Sequence, residues 1–387
     1  MRIYLDNNAT TAIAPEVLGV LERSLRDVFG NASSIHKEGQ SARRVIEEAR
    51  ESVAGLIGAT ARDLVFTSGG TESNNAAIFG AVGRDLRCHI VTTAIEHPSV
   101  AEAVRELESR GCTVARVAPS RDGGVSAEAV IDAIRDDTKL VTVMMANNET
   151  GVIQPVEAIG AACRTRNIHF HCDAVQAAGK IAVDVSAVQC DTLALSAHKM
   201  HAPKGIGALY VRRGLSMAPH IVGGAQERRR RAGTENVPLA AAFGAAAMLA
   251  RAGVDAAPHI AALRDRFEAE MRASLDVTIN GASARRVPNT SNVTFAGADG
   301  EGLVIALDLS GVAVSTGSAC SSGRVEPSGV LLAMGLSPDE ARSTVRFSLS
   351  RYTTAEEIDR VAMLLREVVP RSLRVVVSGG LPLPNIP

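Results

Sequence analysis

Asp173 closes the strand-forming run HFHCD (169–173), and Lys199 follows a second such run, TLALS (192–196), in SAHKMHAPKG. A third run, LVFT (64–67), leads into SGGTESNN, where two glycines, the Thr71 hydroxyl and the start of a helix offer backbone N–H groups to an anion. A lysine amine that can attack a carbonyl, a carboxylate that can keep a pyridine nitrogen protonated and a cup for a phosphate are the three requirements of pyridoxal 5'-phosphate. Taken singly, each has a plainer reading: Asp173 as a helix cap, Lys199 as a solvated loop charge, Gly69–Gly70 as a tight turn with a threonine cap. Their joint occurrence at strand ends is what points to the cofactor.

Lysine is scarce in this chain. Of 41 basic residues only Lys37, Lys139, Lys180, Lys199 and Lys204 are lysine. Arginine serves wherever a fixed positive charge suffices, but its guanidinium stays protonated and cannot act as an amine nucleophile. The few lysines that remain therefore merit individual attention.

Cys320 lies in STGSACSSG (315–323), among serines, threonine, glycines and alanine. A thiol kept for packing sits among bulky apolar side chains, whereas this composition reads as a flexible loop. It is either a surface linker or a nucleophile on a segment built to move. His97, in TTAIEHPSV, follows another strand and could stack on a cofactor ring and move protons near neutral pH. MMANNETG brings Asn147 and Asn148 to the next strand end, and VRFSLSR brings Arg346, a fork for a substrate carboxylate.

These residues need a scaffold that gathers strand ends. From about 60 to 215 short β-rich runs alternate with amphipathic helical stretches: 64–67, 89–93, 113–117, 140–145, 169–173, 192–196 and 208–213. That alternation predicts an α/β domain around a largely parallel sheet, with ligands at the carboxyl ends of the strands. A long helix is expected from NVPLAAAFGAAAML, capped by Asn236 with Pro238 in its first turn. Beyond Val277, strands at 291–295 and 344–350 and the helix TAEEIDRVAMLLREV predict a smaller α+β lobe, completed by the N-terminal helices. The boundaries drawn are 15–255 for the large domain, 1–14 and 256–375 for the small one carrying the Cys320 loop, and a flexible tail at 376–387.

At 387 residues and 46% apolar, the chain can bury a large core. Its formal net charge of −1 offers no global attraction to nucleic acid or membranes. No N-terminal targeting signal is read, and LAAAFGAAAMLA (239–250) is too short to span a bilayer, so a cytoplasmic protein is expected. The six cysteines show no C-x-x-C pair and no zinc spacing.

The ordered motifs YLDNNATT, NASSIH, FTSGGTESNN, EHPSV, MANNETGVIQPV, DAVQAAGK, SAHKMHAPKG, RRAGTENV, STGSACSSG and RFSL resemble those of the NifS-like cysteine desulfurases, within the class V aminotransferase family. The resemblance runs from about residue 3 to 368 and implies a pyridoxal-phosphate-dependent transferase fold. It implies that Lys199 forms the internal aldimine, Asp173 pairs with the pyridine nitrogen, Gln176 bonds the ring hydroxyl and His97 stacks on the ring. Gly70, Thr71, Ser196 and His198 would hold the phosphate, joined by Thr234 from the neighbouring subunit of a homodimer. Asn148 would lie beside cofactor and substrate, and Arg346 would bind the carboxylate of L-cysteine. Cys320 would take the sulfur as a persulfide and leave alanine. It would pass that sulfur to an acceptor: an iron–sulfur scaffold, where Cys320 would touch the cluster metal only transiently through its persulfide, the nitrogenase machinery, or tRNA thiolation. Related readings are a selenocysteine lyase or a class V aminotransferase, and a non-enzymatic reading is a phosphate- or nucleotide-binding module. The thiol speaks against transamination, and Lys199 with Asp173 against simple phosphate binding.

The chain departs from the family pattern at Ala32, where proline is usual, and at Arg228 and Arg229, where an aromatic residue and a glycine are expected. The second departure creates QERRRRAG, a basic run that is either a solvated face or a contact for an acidic partner.

Overall fold

The computed structural model describes residues 2–83, 86–316 and 326–372. Cys320 and the 376–387 tail lie outside the described residues. Twelve strands occur among the described residues, in chain order β1 (Ile3–Tyr4), β2 (Leu64–Thr67), β3 (His89–Thr93), β4 (Thr113–Val117), β5 (Thr138–Met144) and β6 (His169–Asp173). They continue with β7 (Thr192–Ser196), β8 (Gly207–Val211), β9 (Val277–Ile279), β10 (Thr290–Phe295), β11 (Val312–Ala313) and β12 (Thr344–Ser348).

Seven strands form one sheet in the order β2-β8-β7-β6-β5-β3-β4. Only the two pairings of β8 are antiparallel, so every other strand of the sheet delivers its carboxyl end to the same edge. The central strands are buried throughout because helices cover both faces, which is why their sequences are continuous apolar runs. The register sets Met144 beside Asp173 and Asp173 beside Ala194, which lines up the ends of β5, β6 and β7.

A second apolar cluster gathers Leu5, Phe267, Phe295, Phe347 and Leu365 around the antiparallel sheet β12-β10-β9. The N-terminal contribution to this lobe is a strand, not helices. β1 pairs in parallel with β11, whereas helices Pro15–Asp27 and Lys37–Leu56 pack on helix Val237–Gly253 in the larger lobe, burying Val17, Ala42, Ile46 and Val53. Amphipathic periodicity tells which face of a helix is apolar but not which lobe receives it.

Helix Val237–Gly253 begins as the sequence predicts: the Asn236 side chain accepts from the Leu239 N–H and Pro238 occupies the first turn. With the helix after it, it forms a stretch, Val237–Ser274, long and apolar enough by length and composition to cross a membrane. Half of its most apolar window is buried inside the protein, the pattern of a core helix.

Asp6, Asn7 and Asn8 stitch the two lobes together beside the strand ends. The Asn7 amide donates to the Ser348 carbonyl at 2.8 Å, and the Asn8 amide donates to Thr290 Oγ1 at 2.8 Å and to the Asn148 carbonyl at 3.1 Å.

Candidate active site

A cavity of about 390 Å³ opens where the sheet edge meets the smaller lobe. Ten of the residues expected from sequence line it: Gly70, Thr71, His97, Asn148, Asp173, Gln176, Ser196, His198, Lys199 and Arg346. Thr234 does not; it is exposed on the segment before helix Val237–Gly253. Asn147 is also separate. Its buried side chain accepts from the Glu149 and Thr150 N–H groups and donates to the Ile95 carbonyl, shaping the turn that presents Asn148.

Lys199 follows β7 in a single helical turn, Ala197–Lys199. Its Nζ donates to the carbonyls of Asn8 and Ala9, both at 2.6 Å. Burial, reinforced by the Arg346 cation, lowers its pKa to about 8, so a sizeable fraction is the neutral amine near physiological pH. That is the nucleophilic form.

Asp173 sits at the end of β6. One carboxylate oxygen accepts from the Asn74 amide at 2.8 Å and the other from the Val175 N–H at 2.9 Å. Behind it runs a chain of directed hydrogen bonds. Asn74 Oδ1 can only accept, so His171 Nε2 donates to it at 3.0 Å; His171 Nδ1 then accepts from Thr192 Oγ1 at 2.9 Å, and His169 Nε2 donates to Thr192 Oγ1 at 3.0 Å. Burial pushes His171 to about 3 and His169 to about 4, so both imidazoles are neutral and can take these tautomers. The chain delivers an N–H to Asp173 without adding a competing charge.

His97 caps helix Pro98–Ser109, its Nδ1 accepting from the Ser99 N–H at 3.1 Å and meeting Ser99 Oγ at 2.8 Å. Because Asn74 donates to Ser99 Oγ at 2.8 Å, the Ser99 hydroxyl is free to donate to Nδ1. The His97 proton therefore resides on Nε2. Burial holds His97 below the usual histidine range, partly offset by Asp173. Its neighbour Glu96 is buried beneath the site, accepting from Thr93 Oγ1 at 2.6 Å and from the Met144 N–H at 3.0 Å; burial lifts it to about 8, so it is a neutral acid at pH 7.

Three observations describe an anion cup. Helix Gly70–Val82 starts with no side-chain cap, leaving its first N–H groups for a ligand. Gly70 is packed closely: a Cβ there would meet Val175 Cγ2 at 2.9 Å and Ser196 Cβ at 3.4 Å. His198 stays neutral, pushed to about 4 by burial and by Lys199, with its Nδ1 at 3.1 Å from Thr10 Oγ1.

At the opposite wall Arg346, on β12, is buried. Its Nη1 donates to the Asn148 carbonyl at 3.0 Å and its Nη2 to Asp6 at 2.7 Å, while Nε is buried without a partner. Arg346 lines the cavity, and a guanidinium fork there suits a carboxylate. The donor set as a whole fits pyridoxal phosphate: an uncapped helix start for the phosphate, Asp173 for a protonated ring nitrogen, Lys199 for the aldehyde carbon.

Sequence reasoning passed over Asn8, Asn74, Ser99 and Glu96 and gave Lys180 no role, although each lies inside a motif quoted above. Their signal was a polar residue adjacent to a chemical one; their partners are remote in sequence.

The chain matches the model of the class-V aminotransferase family over residues 3–361. It is 45% identical over 372 residues to a cysteine desulfurase of Trichormus azollae, covering 95% of this chain and 93% of that one. It is 46% identical over 379 residues to the cysteine desulfurase IscS of Anaeromyxobacter sp. (strain Fw109-5), covering 96% and 93%. A solved NifS-like protein superposes with a TM-score of 0.89 at 35% identity, covering 96% of this chain and all of that one. With this likeness over nearly its whole length, and with the site just described, the chain belongs to the NifS-like cysteine desulfurases of the class-V aminotransferase family.

Proposed function

We propose that this chain removes sulfur from L-cysteine with pyridoxal phosphate held at Lys199, giving L-alanine and a persulfide on Cys320. The observation that carries this reading is the convergence of Lys199, Asp173, His97 and the buried Arg346 on one cavity. Once bound, the cofactor supplies an electron sink for bonds at the carbons of an amino acid. The chain's residues do the rest. Gly70, Thr71, Ser196 and His198 hold the phosphate, and Asp173 and Gln176 fix the ring. The Arg346 guanidinium orients the substrate carboxylate, while His97 Nε2 and the Lys199 amine hold and move protons. The Cys320 thiolate bonds to the substrate sulfur as the carbon–sulfur bond breaks, so that cysteine plus enzyme thiol become alanine plus enzyme persulfide, with no external oxidant.

A homodimer follows from the family likeness of Thr234, which is exposed in the single chain. Phe29, Ile35 and Val222 are also exposed and apolar, at 81%, 92% and 82%, as a subunit contact would require. The persulfide goes on to an iron–sulfur scaffold or another sulfur acceptor in the cytoplasm. Incubating purified protein with L-cysteine tests the reading: alanine should appear, and mass spectrometry after brief exposure without reductant should find one added sulfur on Cys320. Pyruvoyl-type keto acid in place of alanine, or sulfur on Cys88, Cys112, Cys163, Cys172 or Cys190 instead, would contradict it.

A further inference from the structure

Lys180 has no place in the site as read from sequence, yet it is one of five lysines in a chain that otherwise uses arginine. It is partly buried, and its Nζ donates to two side-chain amide oxygens: Asn8 Oδ1 at 2.7 Å and Gln176 Oε1 at 2.5 Å. Among the described residues no carboxylate pairs with it. It interacts with Lys199, Arg346 and His201, and burial together with the first two holds its pKa well below the usual lysine range. A cation left among cations, without an anion, is an arrangement that stability alone does not favour.

The arrangement has one clear consequence. An ammonium group has no lone pair to face an amide NH₂, so charged Lys180 draws the oxygen of Gln176 toward itself and turns Nε2 the other way. One N–H of Nε2 then donates to the Asn8 carbonyl at 2.9 Å, and the second is left for the cavity that Gln176 lines. Through Asn8 Oδ1 the same amine steadies the residue whose carbonyl also receives Lys199. Either form can donate to both oxygens, but only the ammonium is unable to accept, so the hold on the Gln176 amide is firmest in the charged form.

We infer that Lys180 is a positioning residue for the desulfurase site: it fixes the amide of Gln176 so that an N–H, not the carbonyl oxygen, meets the ring oxygen of the cofactor. This inference rests on the proposed cofactor reading. A donor to that oxygen weakens the cationic, protonated form of the bound chromophore relative to its deprotonated form. Loss of the donor should therefore raise the pH at which the visible band changes.

The test is a pH titration of the visible absorption of cofactor-loaded enzyme, with the cofactor dissociation constant measured alongside. Lys180→Met should raise the midpoint by about one pH unit, the size of one hydrogen bond to a charged oxygen. Gln176→Leu should raise it similarly, and the double variant should add little to either, since both remove one link. If Lys180→Met does not fold, Lys180→Gln takes its place, with a shift in the same direction. A wild type that takes up no cofactor overturns this inference and the reading it rests on. A wild type that takes it up normally, with a Lys180 variant that titrates as wild type or with fully additive shifts, overturns the role of Lys180 alone.

Discussion

Two cavities of this molecule can be set side by side. The one at the strand ends holds about 390 Å³ and the other, between helix Lys37–Leu56 and residues 225–235, about 510 Å³. The larger is the more heavily charged, and most of its charges answer one another, although one oxygen of Glu235 is buried without a partner among the described residues. Arg50 and Glu227 form a buried bidentate pair at 2.6 and 2.9 Å, Glu227 also accepts from the Phe66 N–H, and Arg228 reaches Glu47 at 3.5 Å. In the smaller cavity donors wait: the uncapped helix start at Gly70 and the second N–H of Gln176, with the Arg346 guanidinium in the wall. Volume does not mark the functional site; donors without acceptors do.

If the larger cavity is architecture, breaking its pair should cost stability and leave the chemistry alone. Arg50→Ala strands Glu227, whose side chain is 3% exposed, and should destabilise the fold by about 3–5 kcal/mol in denaturant unfolding. The KM for cysteine of the fraction that remains folded should be unchanged. In the smaller cavity the balance reverses. Arg346→Gln should lower kcat/KM for cysteine about 10–100-fold, mostly through KM, as loss of a charged hydrogen bond to the substrate carboxylate predicts. Steady-state kinetics at matched cofactor loading would check it.

The smallest effect concerns the basic run. Glu227, Arg228 and Arg229 adopt left-handed backbone with φ of 44°, 57° and 65°, and Arg229 stands where the family expects glycine. The Glu227 clamp holds this strained turn in place. Arg229→Gly should raise stability by about 1 kcal/mol, seen as an upward shift in the unfolding midpoint with unchanged activity. Three of the four arginines have internal partners, Arg228 and Arg230 in backbone carbonyls at 61–62 and Arg231 in Glu72, which favours a structural face over a docking surface.

The sheet was legible in the sequence because each strand is a short β-rich run that alternates with stretches of another character. All seven large-sheet strands lie within two residues of where they were expected. Most of the groups that line the strand-end cavity were legible for a related reason: in a parallel sheet they follow the strands immediately. What supports them was not. Asn74 reaches Asp173 from 99 residues away and Asn8 reaches Gln176 and Lys180 across 168 and 172, separations that no local pattern encodes. The placement of the first two helices failed for the same cause, since their partner is the distant helix Val237–Gly253.

The most direct measurement is borohydride reduction of the cofactor-loaded protein followed by peptide mapping. The contrast between the two cavities predicts one modified residue, Lys199, with uptake lost in Lys199→Ala. A stable adduct on Lys37, at the start of the helix that walls the larger cavity, or on Lys180 or Lys204, would contradict it.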